Sequence, residues 1–585
     1  MSPRRQFGPS IGADGVTFRL WAPAAQGVVL LSDQSAAMTP AGAGWYEATL
    51  PGAKPGTRYK FRIDDEIDVP DPASRFQPDD VHGASEVIDD EYDWTCTDWR
   101  GRPWQECAFL ELHVGSFTPQ GTFRAAIDKL DHVATTGFTA IELMPVADFA
   151  GRWNWGYDGV MPFAPDSAYG RPEDLKALID TAHARGLMVF LDVVYNHFGP
   201  EGNYLGRYAP AFFTQAHTPW GNAIDYRVPQ VRAFAIENAL HWLEDYRFDG
   251  LRLDAVHAIV ERGTPSILTE LSERMGQLAA RTGRHIHLVL ENDDNNASLL
   301  DPLSDPPRGS YRAQWNDDYH HAWHVLLTGE GKGYYRDYGD RDTMVSRAMA
   351  EGFAYQGEPS AHRSGARRGE PTLGLPATAF VNFLQNHDQI GNRALGERLS
   401  ELTRSEALEA ALAVLLLAPS PPLLFMGDEW GAVERFPFFC DFKGKLADAV
   451  REGRRKEFAE AYAELGSEVP DPLLEETLRS ASLDWSALTR PLHRERLAMV
   501  CRLFAVRKAN IVPLLPALVP GASRASLQDG LLDARWPLRD GRALTLSANL
   551  SDRAVSIRAE VADVIWGGEG SSLTAWAVRV RLQNA

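Results

Sequence analysis

Three carboxylates stand at or just beyond the ends of apolar runs. Asp254 follows Gly250-Leu251-Arg252-Leu253, Glu291 follows Ile286-His287-Leu288-Val289-Leu290, and Asp388 follows Phe380-Val381-Asn382-Phe383-Leu384 by way of Gln385, Asn386 and His387. Short apolar-dominated runs that stop at an acid read as buried parallel strands whose C-terminal ends open into a polar site. One such acid is explained by pairing with a buried arginine. Three, with His, Asn and Arg beside them, point to chemistry, and attack on a glycosidic bond by a pair of carboxylates most directly needs this arrangement.

The neighbours suggest separate roles. Arg252 and Asp254 are two apart on one predicted strand, so their side chains share a face. A guanidinium there favours the ionised carboxylate that a nucleophile requires. Glu291 sits at the edge of an apolar wall, near other acids, where a carboxyl stays protonated and serves as a general acid. Asp192, in Leu191-Asp192-Val193-Val194-Tyr195-Asn196-His197, lies inside its strand and is expected to support the site rather than react. Asp249 faces differently from Asp254 and is expected only to cap the strand entry. His197 and His387 are expected to bond sugar hydroxyls. His320 and His324 stand four apart, but no Glu completes a zinc motif, so no metal is expected.

Elements must carry these residues to one place. Eight candidate strands (109–113, 140–144, 188–194, 250–253, 286–290, 313–315, 380–384 and 423–426) alternate with stretches of helical period such as 172–185, 229–246 and 266–281. That pattern predicts an α/β (β/α)8 TIM barrel with loop insertions over 105–500. A doubly wound sheet is the alternative, but no Gly-rich phosphate loop follows the first strand. Residues 1–98 read as an N-terminal β-sandwich, with short strands between Gly/Pro turns. The polar, turn-rich stretch 70–103 reads as a linker. Residues 505–585 read as a C-terminal antiparallel β domain.

Composition excludes other classes. The chain has 585 residues, 59 Lys and Arg against 79 Asp and Glu, and a formal charge of −20. Phosphate neutralisation needs clustered cations, so a nucleic-acid partner is not expected. The N-terminus carries no signal-peptide pattern and no run reaches membrane-spanning length, so no membrane partner and a cytoplasmic setting are expected. The four cysteines, Cys96, Cys107, Cys440 and Cys501, are far apart and indicate neither a zinc cluster nor a disulfide framework.

The segments Asp192-Val-Val-Tyr-Asn196-His197, Gly250-Leu-Arg252-Leu-Asp254-Ala-Val-His257, Glu291-Asn-Asp and Asn386-His387-Asp388 resemble, in order and spacing, the four signature segments of the α-amylase family of glycoside hydrolases. Further stretches resemble its trehalohydrolase branch: Glu111–Thr118, Trp153–Val160, Tyr195–Tyr204, Thr218–Gly221, Gln314–His321, Asn386–Asn392 and Arg435–Asp441. The first hundred residues look like the carbohydrate-module-type domain that precedes such barrels. The resemblance implies Asp254 as nucleophile, Glu291 as general acid/base and Asp388 as the third carboxylate, with retention of anomeric configuration. It implies a substrate-binding set of Tyr157, His197, Trp220, Arg252, His257, Asn316, Asp317, Asp318, His320, Asn386, His387, Gln389 and Phe439. Maltooligosyltrehalose and related α-glucan oligosaccharides are the implied substrates, cleaved next to the terminal trehalose without a cofactor. A maltooligosyltrehalose synthase is the implied functional partner. A glycogen branching enzyme, which differs in acceptor, and a non-catalytic glucan-binding scaffold are the competing readings. Trp220 and 436–439 are expected to form an aromatic wall for the trehalose unit.

Overall fold

A computed structural model describes residues 5–260, 263–303, 309–557 and 562–584. Its centre is a barrel of eight parallel strands: β1 Phe109–Leu112, β2 Ala140–Leu143, β3 Met188–Val193, β4 Gly250–Leu253, β5 His287–Leu290, β6 Ala313–Trp315, β7 Phe380–Val381 and β8 Leu423–Phe425. They neighbour one another in chain order from β1 to β7, and β8 lies beside β1. Every residue of these strands is buried, which is why they read as apolar runs rather than alternations. The barrel closes through one bridge: Asn382 N–H donates to Pro421 O at 3.0 Å and Leu423 N–H to Asn382 O at 2.8 Å. β7 is therefore shorter than the expected 380–384, with Asn382 joined to the neighbouring strand only by this isolated bridge.

Inside the barrel, Phe109, Met188, Phe190, Val289, Trp315, Phe383 and Leu423 form a packed core. Trp104 lies in the same core and donates its indole N–H to Thr378 O at 2.7 Å. The outer helices follow the predicted periods. Helix α1 spans Pro172–Ala184, α2 spans Pro229–Leu240 and continues as a π turn over His241–Asp245, and α3 spans Ile267–Thr282. Ser266 caps α3 by accepting from Thr269 N at 3.1 Å, and Gly283 ends it at φ +67°.

The N-terminal strands form two sheets. One holds Gly15–Trp21 and Trp45–Leu50, the other Val28–Leu31 and Arg58–Ile63, with their apolar faces packed together. Aromatic contacts join this sandwich to the barrel, with Phe7 5.1 Å from Phe234 and Trp21 5.6 Å from Phe212. The first half of the stretch 70–103 is not a solvated linker, whereas 89–103 is exposed or half-buried throughout. Asp71, Ser74, Arg75, Gln77 and Ser85 are buried, and Arg75 lies over the Phe163 ring at 4.7 Å. Its polar residues bond inward, Asp71 to Tyr59 and Ser85 to Gln77, so composition alone misreads it. The C-terminal strands Arg524–Gln528, Leu531–Pro537, Ala543–Asn549, Val578–Gln583 and Ala562–Trp566 form an antiparallel sheet in that order.

All four cysteines are free. Among the described residues, no cluster of three or more His, Cys, Asp or Glu could hold a metal ion, and no helix is long and apolar enough to cross a membrane.

Candidate active site

β4 and β5 pair in register, Arg252 opposite Val289 and Leu253 opposite Leu290, so Asp254 and Glu291 leave the barrel side by side. Arg252, buried in the barrel mouth, reaches both. Its Nη1 donates to Asp254 Oδ1 at 2.8 Å and to Asp192 Oδ2 at 2.6 Å, and its Nη2 lies 3.8 Å from Glu291 Oε2. The guanidinium packs 4.2 Å from the centre of the Trp315 ring, which fixes its plane. Burial opposes its charge, but Asp192, Tyr157, Asp254 and Glu291 outweigh that and push its pKa further up.

The backbone also joins the two acids. Ala255, at φ +40°, is in the left-handed region, where a residue with a Cβ is strained by about 1–2 kcal/mol. That turn aims its N–H at the Glu291 carboxylate. Burial, followed by the charges of Asp254, Asp317 and Asp388, holds the Glu291 carboxyl well above the ordinary range despite Arg252. Asp192 has been pushed up to about 7 by burial and Asp254, against Arg252.

Asp388 lies in the first turn of α5, here the short helix His387–Gly391. Asn386 caps that helix by accepting from Asp388 N at 2.9 Å, and Gln389 accepts from Asn386 N at 3.1 Å. The Asp388 side chain is 46% exposed and thus faces the cleft. His387 points back into the barrel, its Nε2 2.9 Å from Tyr157 Oη and 3.5 Å from Asp388 Oδ1. Tyr157 stacks on His387 and donates to Asp192 Oδ2 at 2.6 Å. Its position depends on Gly156, at φ +104°, where a Cβ would lie 2.0 Å from Pro145 O.

Other expected residues divide into two groups. His197 bonds Tyr157 O at 3.0 Å and carries Trp220 stacked on it, with rings 4.8 Å apart and 10° from parallel. Trp220 is 46% exposed at the tip of the hairpin formed by Phe213–Thr218 and Gly221–Ile224. His257 is exposed and accepts from Asp293 N at 3.2 Å. Asp317 begins helix α4, Asp317–Thr328, and burial with Asp293 and Asp388 nearby pushes its carboxyl up to about 7.

The second group turns inward. Asn316 caps α4 and donates to Gly352 O at 3.0 Å and Asn382 Oδ1 at 2.8 Å. Asp318 has no exposed surface and accepts from Asn295, Ala354 N, Tyr355 N, Tyr338 and Arg368. His320 bonds Leu384 O and Tyr335 Oη, and burial holds it well below the usual histidine range. Phe439 is fully buried against His113 and Phe436, and Phe436 is fully buried too. The expected wall over 436–439 is therefore corrected: of its three phenylalanines only Phe438 is partly exposed, because the other two rings fill the floor beneath the loop.

Sequence reading missed Glu111, whose carboxylate binds His387 inside the barrel. A charged residue at an inward position of the run Phe109-Leu110-Glu111-Leu112 is the signal that marks it. It also missed Arg363 and Arg368, which together hold Asp293, two residues beyond Glu291. Both come from a distant loop with no motif of its own.

Residues 74–210 match the model of the alpha amylase catalytic domain, 6–76 that of carbohydrate-binding module 48 (isoamylase N-terminal domain), and 520–583 a domain of unknown function, DUF3459. The malto-oligosyltrehalose trehalohydrolase of Deinococcus radiodurans is 44% identical, covering 87% of this chain and 84% of its own. That of Saccharolobus solfataricus is 39% identical over 82% and 83%. A crystal structure described as a putative alpha amylase from Salmonella typhimurium is 44% identical with a TM-score of 0.95, covering 99% of this chain and 100% of its own. With the barrel, the flanking β domains and these relatives together, the chain belongs to the malto-oligosyltrehalose trehalohydrolase family of α-amylase-type glycoside hydrolases.

Proposed function

We propose that this chain hydrolyses the α-1,4 glucosidic bond next to the terminal trehalose of maltooligosyltrehalose, releasing trehalose and a maltooligosaccharide. The observation that carries this reading is one buried guanidinium, Arg252, bonded to Asp254 at 2.8 Å and 3.8 Å from Glu291. Asp254, kept beside a cation, is the nucleophile. Glu291, held protonated by burial and by neighbouring acids, protonates the leaving oxygen and then takes the proton from water. Such a pair retains anomeric configuration through a covalent glycosyl-enzyme intermediate. Asp388 and His387 hold hydroxyls of the sugar being cleaved, with Tyr157 beneath it. Trp220 on His197 is the exposed aromatic surface for further glucose units, with His257, Asp317 and Gln389 as polar contacts. Asn316, Asp318, His320, Asn386 and Phe439 shape the site from behind.

The substrate follows from the relatives' names, and the same reading makes a maltooligosyltrehalose synthase its functional partner in the cytoplasm. Incubation with maltotriosyl-trehalose and, separately, with amylose tests it. The expected products from the first are trehalose and maltotriose, with NMR showing the α-anomer first at the new reducing end. New branch points on amylose without release of trehalose would overturn the reading in favour of a branching enzyme. A β-anomer appearing first would overturn retention.

A further inference from the structure

Two glutamates stand side by side within the barrel wall, Glu111 on β1 opposite Glu142 on β2. Both are 1% exposed. Their surroundings differ completely. Glu111 accepts from the backbone N–H of His387 at 3.2 Å and from its Nδ1 at closer range. Among the described residues, Glu142 has no hydrogen-bond partner at either oxygen. Burial and the charges of Asp192 and Glu111 hold Glu142 well above the ordinary carboxyl range.

From Glu111 a continuous chain of donors leads to the reacting acids. With Nδ1–H given to Glu111, the remaining His387 nitrogen, Nε2, faces Tyr157 Oη at 2.9 Å and Asp388 Oδ1 at 3.5 Å. Tyr157 in turn donates to Asp192, and Arg252 donates to both Asp192 and Asp254. The direction of each bond is consistent if His387 carries both protons: Nε2–H then donates to Tyr157, whose own proton is committed to Asp192. The charged groups around the imidazole agree. Burial opposes its charge and Arg252 adds to that, while Glu111 and Asp388 outweigh both and raise its pKa. His113, packed nearby, is held down to about 4 by burial and so adds no charge near neutral pH.

We propose that Glu111 is a positioning residue of the catalytic centre: by taking both N–H groups of His387 it fixes the imidazole so that Nε2 donates toward Tyr157 and the sugar beside Asp388. This rests on the glycosidase reading of the site. Glu111→Gln preserves size but removes the counter-charge and one accepting oxygen. Glu111→Asp keeps the charge, and Glu142→Gln, at the neighbouring carboxyl that makes no bond to His387, is the control.

With maltotriosyl-trehalose, Glu111→Gln should lower kcat on the order of 10²-fold while KM moves much less, Glu111→Asp should recover part of that, and Glu142→Gln should leave both near wild type. The ¹⁵N signal absent from His387→Gln should report a doubly protonated ring in the wild type near neutral pH and a neutral tautomer in Glu111→Gln. If Glu111→Gln fails to fold, titration of that signal in the wild type decides: a midpoint at or below that of a free histidine overturns the proposal. A Glu111→Gln enzyme with wild-type kcat, or with an unchanged His387 signal, overturns it too. A wild type that releases no trehalose would defeat the functional reading instead, while the ¹⁵N comparison still judges Glu111.

Discussion

Two acid-bearing segments meet at the barrel mouth and behave in opposite ways. At the end of β4, Asp254 is 12% exposed and, among the described residues, has Arg252 as its one ion-pair partner, held through Oδ1. At the start of α4, Asp318 has no exposure and five donors, among them Arg368, Asn295 and Tyr338. Both are aspartates just beyond the C-terminal end of a barrel strand. The difference teaches that an acid with unused acceptor capacity at an open surface is poised to react, whereas one whose acceptors are all filled holds loops together.

The comparison breaks most visibly at Asp254. Asp254→Asn should cut kcat by about 10⁴-fold or more with thermal stability and sugar binding little changed. An activity loss below tenfold in steady-state assays would remove Asp254 from the nucleophile's place.

Asp318→Ala should do the reverse. Removing Asp318 takes away the fully buried partner of Arg368, leaving it only the half-exposed Asp293, and strands the other buried donors that Asp318 accepts from, a cost of about 3–5 kcal/mol. Chemical denaturation should therefore show a large loss of stability, and kcat per folded molecule should fall far less than in Asp254→Asn. Unchanged stability would mean that the hub around Asp318 is not what joins these loops.

Phe439 and Trp220, once expected to form one wall, now separate. Phe439→Ala empties a buried site and should cost about 3–5 kcal/mol of stability without a preference between substrates. Trp220→Ala leaves the fold intact and should lower kcat/KM for trehalose-ended oligosaccharides more than for plain maltooligosaccharides, by about 1–3 kcal/mol. Equal losses on the two substrates would place the preference elsewhere.

The smallest effect concerns pH. Asp317 is one of the charges that raise the Glu291 carboxyl. Asp317→Asn removes that like charge, so the Glu291 pKa should fall. If Glu291 must be protonated to act, activity is lost as pH rises through its pKa, and the alkaline limb of the kcat/KM profile should move to lower pH. A limb that stays in place or moves upward would detach it from Glu291.

Much was legible in the chain alone. The eight strands are apolar runs because both faces are buried, and the carboxylates at their ends interrupt those runs, so Asp254, Glu291 and Asp388 could be found from one-dimensional pattern. The strong helices were likewise visible, since their apolar period and their caps, such as Ser266 and Gly283, are local. Partners far apart in sequence were not. Glu111 meets His387 across 276 positions, Arg363 meets Asp293 across 70, and Trp220 finds His197 only because a hairpin folds back onto the loop after β3. Whether Phe439 or Asp318 faces substrate or core depends on which atoms surround it, and that is set by barrel closure and loop packing. Residue type and spacing therefore determined which groups could do chemistry, while the tertiary structure decided which of them keep a free face, because burial and hydrogen-bond saturation are properties of neighbours in space.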